Sequence, residues 1–312
     1  MLSVLCITGP TASGKTDLAL EFCRKFKNLK PEIISVDSAQ IYRFIDVASA
    51  KPTRIERKEI PHHLIDICDP SEQYSVARFI KDANDALMKI ISNGGTPILV
   101  GGTMMYLNRL IQGISNVPNI PLEVRQSIFN EGRDNGWDKL HKKLFSVDPQ
   151  FADGISINDS QRITRGLEVW YHTGKGLTEW KNEYSKLSPQ NNLSFKLRIL
   201  ALVPKNKEDL HRKIKNRFNN MVERGLLSEV ARLRKRNLSR DNSCARLVGV
   251  RQAWEFLEGT VSMHQFLQLG EIATRRLAKH QLTWLRKFNN MKVIDPFDNS
   301  KTQKISICES LL

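Results

Sequence analysis

The sequence lacks several features that mark membrane and secreted proteins. No stretch of its 312 residues approaches the roughly 18 consecutive apolar residues of a membrane-spanning helix. No basic segment precedes the first apolar run, so we expect no signal peptide. The five cysteines are scattered and form no C-x-x-C pair, which argues against a disulfide framework or a zinc site. We therefore expect a soluble protein of a reducing compartment, the cytoplasm.

Acidic residues are also few relative to basic ones. The chain has 48 Lys and Arg against 33 Asp and Glu, a net charge of +15. The excess is concentrated between Lys196 and Lys287, where 21 basic residues face 8 acidic ones. Such a segment indicates a polyanionic partner, nucleic acid before a membrane surface. A solvated basic face is the alternative.

A complete phosphate-binding motif stands near the N-terminus. The pattern G-x-x-x-x-G-K-T follows the apolar run Val4–Thr8 and precedes a segment with helical spacing, the context that such a loop requires. It predicts a diphosphate held by backbone N–H groups and by Lys15, with the Thr16 hydroxyl on Mg²⁺. A glycine-rich turn without a ligand is the alternative. The residues of the motif are Gly9, Pro10, Thr11, Ala12, Ser13, Gly14, Lys15 and Thr16.

The order of apolar runs predicts an α/β fold. Residues 32–37 and 98–103 follow the pattern of buried parallel strands, and Val76–Ser92 that of an intervening helix. We expect a parallel sheet flanked by helices, similar to P-loop NTPases, with Asp37 and Thr103 at the carboxyl edge beside the loop. Strand-like runs disappear after about residue 118 and return at 194–203. We therefore predict a core of residues 1–118 and 194–312 with an all-helical insertion at 119–193.

Two later helices carry basic residues. In the predicted helix 210–222, Arg217 falls within the apolar stripe, where it needs either a buried carboxylate or a substrate phosphate. The predicted helix 272–288 has a packing face and, opposite it, a basic ridge. The packing face consists of Ala273, Leu277, Trp284 and Phe288, and the ridge of Arg275, Lys279 and Arg286.

These residues allow more than one chemistry. A phosphate loop alone suggests an ATPase or a nucleotide kinase. A bound diphosphate can also be the leaving group when an acceptor attacks the carbon atom that carries it. The acceptor then needs a base to remove its proton. Asp37 is the carboxylate placed for that role, and outer ligation of Mg²⁺ is its alternative.

The motifs taken in order closely resemble the tRNA dimethylallyltransferase family. They are Gly9–Thr16, Ser35–Gln40, Val100–Thr103 with Tyr106, Gln161–Arg162 with Arg165, and Arg246–Arg251, with Ala50–Pro52, Pro61–His62 and Asp66 as further matching positions. The resemblance implies transfer of a dimethylallyl group from its diphosphate to the exocyclic amine of the adenosine immediately 3′ of the anticodon. It also implies a compact, bacterial type of enzyme that acts on a tRNA anticodon stem-loop. The phosphate loop itself predicts Mg²⁺ as cofactor. Nothing in the sequence suggests an interface besides the RNA-binding one, so we expect a monomer.

The resemblance also implies roles for individual residues. Asp37 would take the proton from the adenine amine, Thr103 would lie beside the base, and Lys15 and Arg217 would hold the diphosphate. Because the base must leave its stack to react, the enzyme would flip it. Val250 departs from the pattern, since related sequences often have Tyr there. The residues expected to contact tRNA are Asp37, Ser38, Ala39, Gln40, Thr103, Arg125, Gln161, Arg162, Ile163, Thr164, Arg165, Arg246, Leu247, Val248, Gly249, Val250 and Arg251.

Three alternatives remain open at this level. An adenylate isopentenyltransferase would share the loop and Asp37 but would need neither an RNA-binding insertion nor a basic C-terminal half. A nucleotide kinase would need an Arg-rich lid and a second phosphate site. A non-enzymatic RNA-binding module would have no use for the phosphate loop.

Overall fold

The parallel sheet predicted from the sequence is present. The computed structural model describes residues 2–115, 117–187, 195–298 and 300–312. Within them, six strands form one parallel sheet in the order β3-β2-β4-β1-β5-β6. The strands are β1 (Leu2–Thr8), β2 (Pro31–Ser35), β3 (His62–His63), β4 (Thr96–Gly101), β5 (Phe195–Leu202) and β6 (Met291–Ile294).

Helices connect and cover these strands. Two short 3₁₀ turns, Lys27–Leu29 and Ser243–Arg246, accompany them. The α-helices are α1 (Lys15–Lys25), α2 (Arg54–Glu59), α3 (Val76–Ser92), α4 (Met104–Gln112), α5 (Leu122–Asn135), α6 (Trp137–Val147), α7 (Pro149–Asp153), α8 (Ser160–Thr173), α9 (Leu177–Leu187), α10 (Lys207–Glu223), α11 (Leu226–Arg234), α12 (Val250–Leu257), α13 (Met263–Leu285) and α14 (Lys301–Ser310). None of these described helices combines the length and apolarity that a bilayer crossing requires.

The chain divides into two compact units. One comprises residues 1–110 and 193–312 and contains the sheet; the other comprises Ile111–Asn192 and contains α5 to α9. The helical unit therefore begins several residues before the predicted position 119. Its apolar core is formed by Ile128, Leu140, Leu144, Ala152, Ile163 and Leu167.

The central strands position the functional loops. Val4, Leu5 and Ile7 of β1 are fully buried, and Phe22 of α1 packs against the same core. Such strands, covered on both faces, read as continuous apolar runs, which is why the sequence identified them. β2 ends at Ser35 and β4 at Gly101, so Asp37 and Thr103 lie in the loops just beyond their strands, at the carboxyl edge.

The prediction for the helix 272–288 was partly wrong. α13 begins at Met263, where Ser262 and Gln265 form a capping box, and ends at Leu285. Trp284 and Phe288 pack in an apolar cluster as expected. Leu277, however, is 37% exposed. The buried residues of α13 are instead Phe266, Gly270, Thr274, Ala278 and Leu285. They form a face displaced by one residue from the predicted one.

Gly270 explains this rotation. A Cβ atom at residue 270 would lie only 1.9 Å from the ring of Phe218 in α10, so the helices approach closely there because glycine has no side chain. A search for large apolar residues at helical spacing overlooks a contact made by a glycine.

Candidate active site

The phosphate-binding motif forms the turn between β1 and α1. Gly14 caps α1 with a left-handed φ of 79°. A Cβ at Gly9, whose φ is 153°, would lie 2.6 Å from the Leu202 carbonyl oxygen, so both positions require glycine. Because α1 begins at Lys15, the free N–H groups and the positive end of its dipole lie at this turn. The local structure therefore suits an anion.

One cavity of about 460 Å³ opens beside this turn, within the unit that contains the sheet. Its polar lining includes Lys15, Thr16, Asp37, Thr103 and Arg217. The structure thus brings these five predicted residues together in one cavity. Apolar side chains complete the wall: Ile33, Val100, Met104, Met105, Phe218, Met221, Leu277 and Trp284.

Lys15 is a strongly perturbed cation. Its pKa is lowered from 10.5 to about 7, first by burial and then by the neighbouring Arg217, while Asp37 opposes both effects. The Nζ atom donates a hydrogen bond to the Pro10 carbonyl oxygen at 2.6 Å. No carboxylate pairs with it among the described residues, so its charge is available to an anion.

Arg217 also faces the cavity without a direct partner. It forms no hydrogen bond or ion pair with any residue that the structure describes, so the buried ion pair left open by the sequence is not found there. Burial lowers the pKa of Arg217, while Asp37 and Asp17 act to raise it. An unpaired guanidinium in such a place is destabilising until an anion binds it.

Asp37 and Thr103 are held in two adjoining loops. The Asp37 Oδ1 atom accepts hydrogen bonds from the backbone N–H groups of Ala39, at 2.8 Å, and Gln40, at 3.4 Å. The Thr103 hydroxyl accepts one from the N–H of Ser38 at 3.0 Å. Only one carboxylate oxygen of Asp37 is thus used by these bonds. The other can accept a proton or ligate a metal.

Gln281 joins the two halves of the site, and the sequence analysis missed it. Its Oε1 accepts a hydrogen bond from the Thr11 N–H, and its Nε2 donates one to the Gly102 carbonyl oxygen, both at 2.8 Å. The side chain thereby links the phosphate loop to the loop of Thr103. No local signal predicts it, because it lies 270 residues from Thr11.

Comparison with known proteins assigns the chain to a family. A family profile described as IPP transferase matches residues 40–288. The tRNA dimethylallyltransferase of Nitrosomonas europaea is 43% identical over 302 residues, covering 96% of this chain and 92% of the relative. That of Francisella philomiragia is 42% identical over 301 residues, with 96% of each chain covered. The chain belongs to the IPP transferase family.

Solved structures of IPP transferases share the fold. The full-length tRNA isopentenylpyrophosphate transferase of Bacillus halodurans is 32% identical, with a TM-score of 0.71, and the match covers 100% of this chain and 96% of that one. A eukaryotic dimethylallyltransferase described as acting on tRNA is 27% identical with a TM-score of 0.83, covering 99% of this chain and 79% of that one.

The segment Arg246–Arg251 lies only partly on the site of this IPP transferase. Its first four residues line the cavity. Arg251 lies outside it, with Glu255 at 3.9 Å. Val250 is fully buried at the start of α12, so its side chain is not available to RNA, and the prediction for this residue is corrected. Among the residues expected to contact tRNA, those of these two segments that line the cavity are Arg246, Leu247, Val248 and Gly249, together with Ser38, Ala39 and Gln40 of the Asp37 loop.

In the helical unit, two arginines share one buried carboxylate. Arg125 makes a two-pronged contact with Glu168, at 2.7 and 3.0 Å, and Arg165 binds the same group at 2.6 Å. Burial alone would raise the pKa of Glu168, but the two guanidinium groups outweigh it and lower the pKa. Both arginines stay partly exposed while Glu168 is fully buried, so the carboxylate fixes their direction.

The neighbouring predicted residues of α8 divide by exposure. Gln161 and Arg162 are exposed. Ile163 belongs to the apolar core of the helical unit and Thr164 is 5% exposed, so neither side chain is available to RNA. The structure corrects the prediction for these two, which followed from treating residues 161–165 as one segment although a helix turns successive side chains by 100°.

Lys51 and Asp66, which matched the family pattern, have a structural role. The Lys51 ammonium donates hydrogen bonds to the Tyr42 carbonyl oxygen, to Asp46 and to Asp66, at 2.5, 2.8 and 2.7 Å. Arg57 binds the second oxygen of Asp66 at 2.6 Å. This network fixes the loop between Gln40 and Pro52, which forms one wall of the cavity.

Proposed function

We propose that this protein transfers a dimethylallyl group from dimethylallyl diphosphate to the N6 amine of the adenosine immediately 3′ of the anticodon in tRNA. The observation that carries this proposal is the lining of one cavity. It combines unpaired cations beside a phosphate loop, a carboxylate and an apolar wall. Transfer of a phosphoryl group needs the cations but no apolar wall beside them. A prenyl diphosphate needs both, the cations for its diphosphate and the apolar wall for its prenyl group.

The donor would bind through its two ends. The diphosphate would lie at the N-terminus of α1, where Lys15 and Arg217 lack carboxylate partners that would compete with it. The prenyl group would contact the apolar side chains of the wall. These cations would then stabilise the charge that develops on the departing diphosphate.

The site also suits Mg²⁺, which we propose as the cofactor. This ion keeps several water ligands and binds through one or two protein oxygens together with substrate phosphates. Thr16 supplies a hydroxyl on the same cavity, at the start of α1 beside the phosphate loop. The described part of the chain contains no group of three or more His, Cys, Asp or Glu side chains that could hold a metal ion. When bound, it would neutralise charge on the diphosphate.

Asp37 is the base of the proposed reaction. As the bond from N6 to the allylic carbon forms, the bond from that carbon to the diphosphate oxygen breaks and the diphosphate leaves with the electron pair. The N6 proton passes to the Asp37 oxygen that no backbone N–H group engages. Thr103, held through Ser38, would contact the base beside it.

The adenosine must leave its stack to enter such a cavity. Contacts with an unpaired loop would provide specificity, as in other enzymes that act on a flipped base. Arg246 at the cavity and Arg125, Gln161, Arg162 and Arg165 of the helical unit are the residues that we propose contact the RNA. Four of these five residues are arginines, whose guanidinium groups match phosphate geometry.

A labelling experiment tests this function. Purified protein is incubated with dimethylallyl diphosphate labelled in the prenyl group, Mg²⁺ and either unmodified tRNA or AMP. We expect label in the tRNA alone, at the adenosine 3′ of the anticodon. Label in AMP would favour an adenylate isopentenyltransferase instead. No transfer to either acceptor would contradict the proposal, and ATP-dependent phosphorylation of a nucleotide would replace it with a kinase.

A further inference from the structure

Phe44 is an exposed aromatic side chain on an unfavourable backbone. Its φ is 65°, in the left-handed region, and it is 48% exposed. A bulky residue with positive φ is an outlier, and such a conformation persists only where the surroundings enforce it. Burial of the ring does not account for its position, since neighbouring Ile45 fills the core instead.

The chain on both sides of Phe44 is firmly held. On one side, the N–H of Arg43 donates to the Cys68 carbonyl oxygen at 2.9 Å. On the other, the N–H groups of residues 46, 47 and 48 donate to the buried carboxylate of Glu229, at 2.7, 2.7 and 2.9 Å. The Lys51 network secures the same loop. The ring is therefore presented at the surface on a rigid support.

A guanidinium group covers part of this ring. The Arg236 guanidinium carbon lies 3.9 Å from the ring centroid, and its side chain is itself 46% exposed. Its carboxylate neighbour, Asp69, is at 3.9 Å, the limit of an ion pair. Arg43, the residue before Phe44, is exposed, and its Nε atom donates a hydrogen bond to the Asp66 carbonyl oxygen. We call Arg43, Phe44 and Arg236 the Phe44 surface.

The loop that carries Phe44 also lines the candidate active site. Ala48, Ser49 and Ala50 of the same loop line the cavity. Tyr42 interacts with Ser243, at the start of the 3₁₀ turn that ends with Arg246 of the cavity lining. The loop that lines the cavity thus also carries an exposed basic side chain and an exposed aromatic ring.

We propose that the Phe44 surface stacks an unpaired base of the tRNA substrate, a second base contact besides the one in the cavity. The proposal rests on the proposed function. Aromatic rings and arginine planes are the groups on which unstacked RNA bases settle, and the flanking guanidinium groups suit the phosphates on either side. A rigid, exposed ring loses little conformational freedom when a base covers it.

Replacement of Phe44 by glycine gives a sharp test, because glycine adopts this φ without steric cost. We expect Phe44→Gly to fold with a Tm within about 3 °C of the original or above it. Its affinity for unmodified tRNA should fall by about tenfold, the scale of one lost base–aromatic stack. Phe44→Tyr, which keeps the ring, should bind as the unaltered protein does. Met88→Ala removes another exposed apolar side chain, on α3, and should change neither the Tm nor the affinity for tRNA.

Abasic substitution identifies the base. Anticodon stem-loops that each lack one loop base are titrated with the original protein and with Phe44→Gly, and binding is measured by fluorescence anisotropy. One position should weaken binding to the original protein by about tenfold and have no further effect on Phe44→Gly. Unchanged affinity in Phe44→Gly would overturn the proposal, whether its Tm rises or falls. Equal losses in Phe44→Gly and Phe44→Tyr, or additive losses at every abasic position, would overturn it as well.

Failure of this proposal differs from failure of the proposed function. If the original protein prenylates tRNA and Phe44→Gly binds tRNA equally well, only the Phe44 surface loses its role. If the original protein transfers no label to tRNA, both proposals fail together.

Discussion

The arginines of the cavity and those of the helical unit are held in opposite ways. Arg217 has no hydrogen bond or ion pair with the described residues, and burial lowers its pKa. Arg125 and Arg165 bind the carboxylate of Glu168, and this contact raises the pKa of Arg125. An unpaired buried cation gains much from a small anion, whereas a paired one is fixed in direction but has less to gain. We therefore expect cavity substitutions to affect the donor and the chemical step, and Glu168 substitutions to affect tRNA affinity.

The largest effect should come from Asp37→Asn. The amide keeps an oxygen for the N–H groups of Ala39 and Gln40, so the loop should stay in place. Loss of the base should lower the single-turnover rate by about 10²- to 10⁴-fold. The affinity for tRNA, measured by anisotropy, should change by no more than roughly threefold, because no phosphate contact is lost. A loss of tRNA affinity as large as the loss of rate would show that Asp37 is needed for RNA binding and would contradict its role as the base.

Arg217→Met should have the next largest effect. It keeps an unbranched apolar stem and removes a charged hydrogen-bond donor, so affinity for dimethylallyl diphosphate should fall by roughly 10- to 100-fold. The unliganded protein should at the same time become more stable, since an unpaired cation has left a buried place. Calorimetric titration and thermal unfolding measure the two quantities. A variant that loses stability and keeps donor affinity would show that Arg217 has a structural partner after all.

Lys15 should make donor binding depend on pH. Its pKa in the free protein is lowered to about 7, so the ammonium is progressively lost above that pH. Because the diphosphate favours the charged form, donor affinity should weaken by up to about tenfold per pH unit above 7, with uptake of a proton on binding. Titrations in buffers of different ionisation enthalpy detect that proton.

Two variants sharpen the Lys15 prediction. Lys15→Met should abolish the proton uptake, and Arg217→Met should move the transition to higher pH, since Arg217 contributes to the lowered pKa. In the unliganded protein, a folded-state pKa below the usual 10.5 means that stability rises as pH increases from about 7 towards 10.5. A donor affinity independent of pH would contradict the assignment of Lys15 to the diphosphate.

Local patterns allowed most of the cavity to be predicted from the sequence. The phosphate loop, Asp37 and Thr103 each follow a buried strand, and parallel strands bring such positions to one edge. Gln281 and Glu168 could not be found in this way. Each lies on a helix whose spacing gives no reason to prefer it, and its function depends on partners far along the chain.

Errors arose where helical faces were judged by residue type. Ile163 and Thr164 follow two exposed residues in sequence, but Ile163 belongs to the core of the helical unit and Thr164 is buried. In α13, the apolar stripe is displaced by one residue because Gly270 makes the closest contact with Phe218. The phase of a helix is set by packing, which a single sequence specifies only weakly.

Glu168→Gln should have the smallest effect on activity. Loss of the buried charge leaves Arg125 and Arg165 one neutral amide oxygen in place of a shared carboxylate, so the free energy of unfolding should fall by about 2 kcal/mol. The KM for tRNA should rise by roughly 3- to 10-fold while kcat at saturating tRNA stays unchanged, since the arginines are present but no longer aligned. Asp159→Asn is the matched control: it removes a carboxylate beside exposed Arg162, at 3.4 Å, and should alter KM little. If Glu168→Gln instead lowers the KM for tRNA, removal of negative charge outweighs alignment, and the helical unit attracts RNA in the same unpaired manner as the cavity attracts its diphosphate.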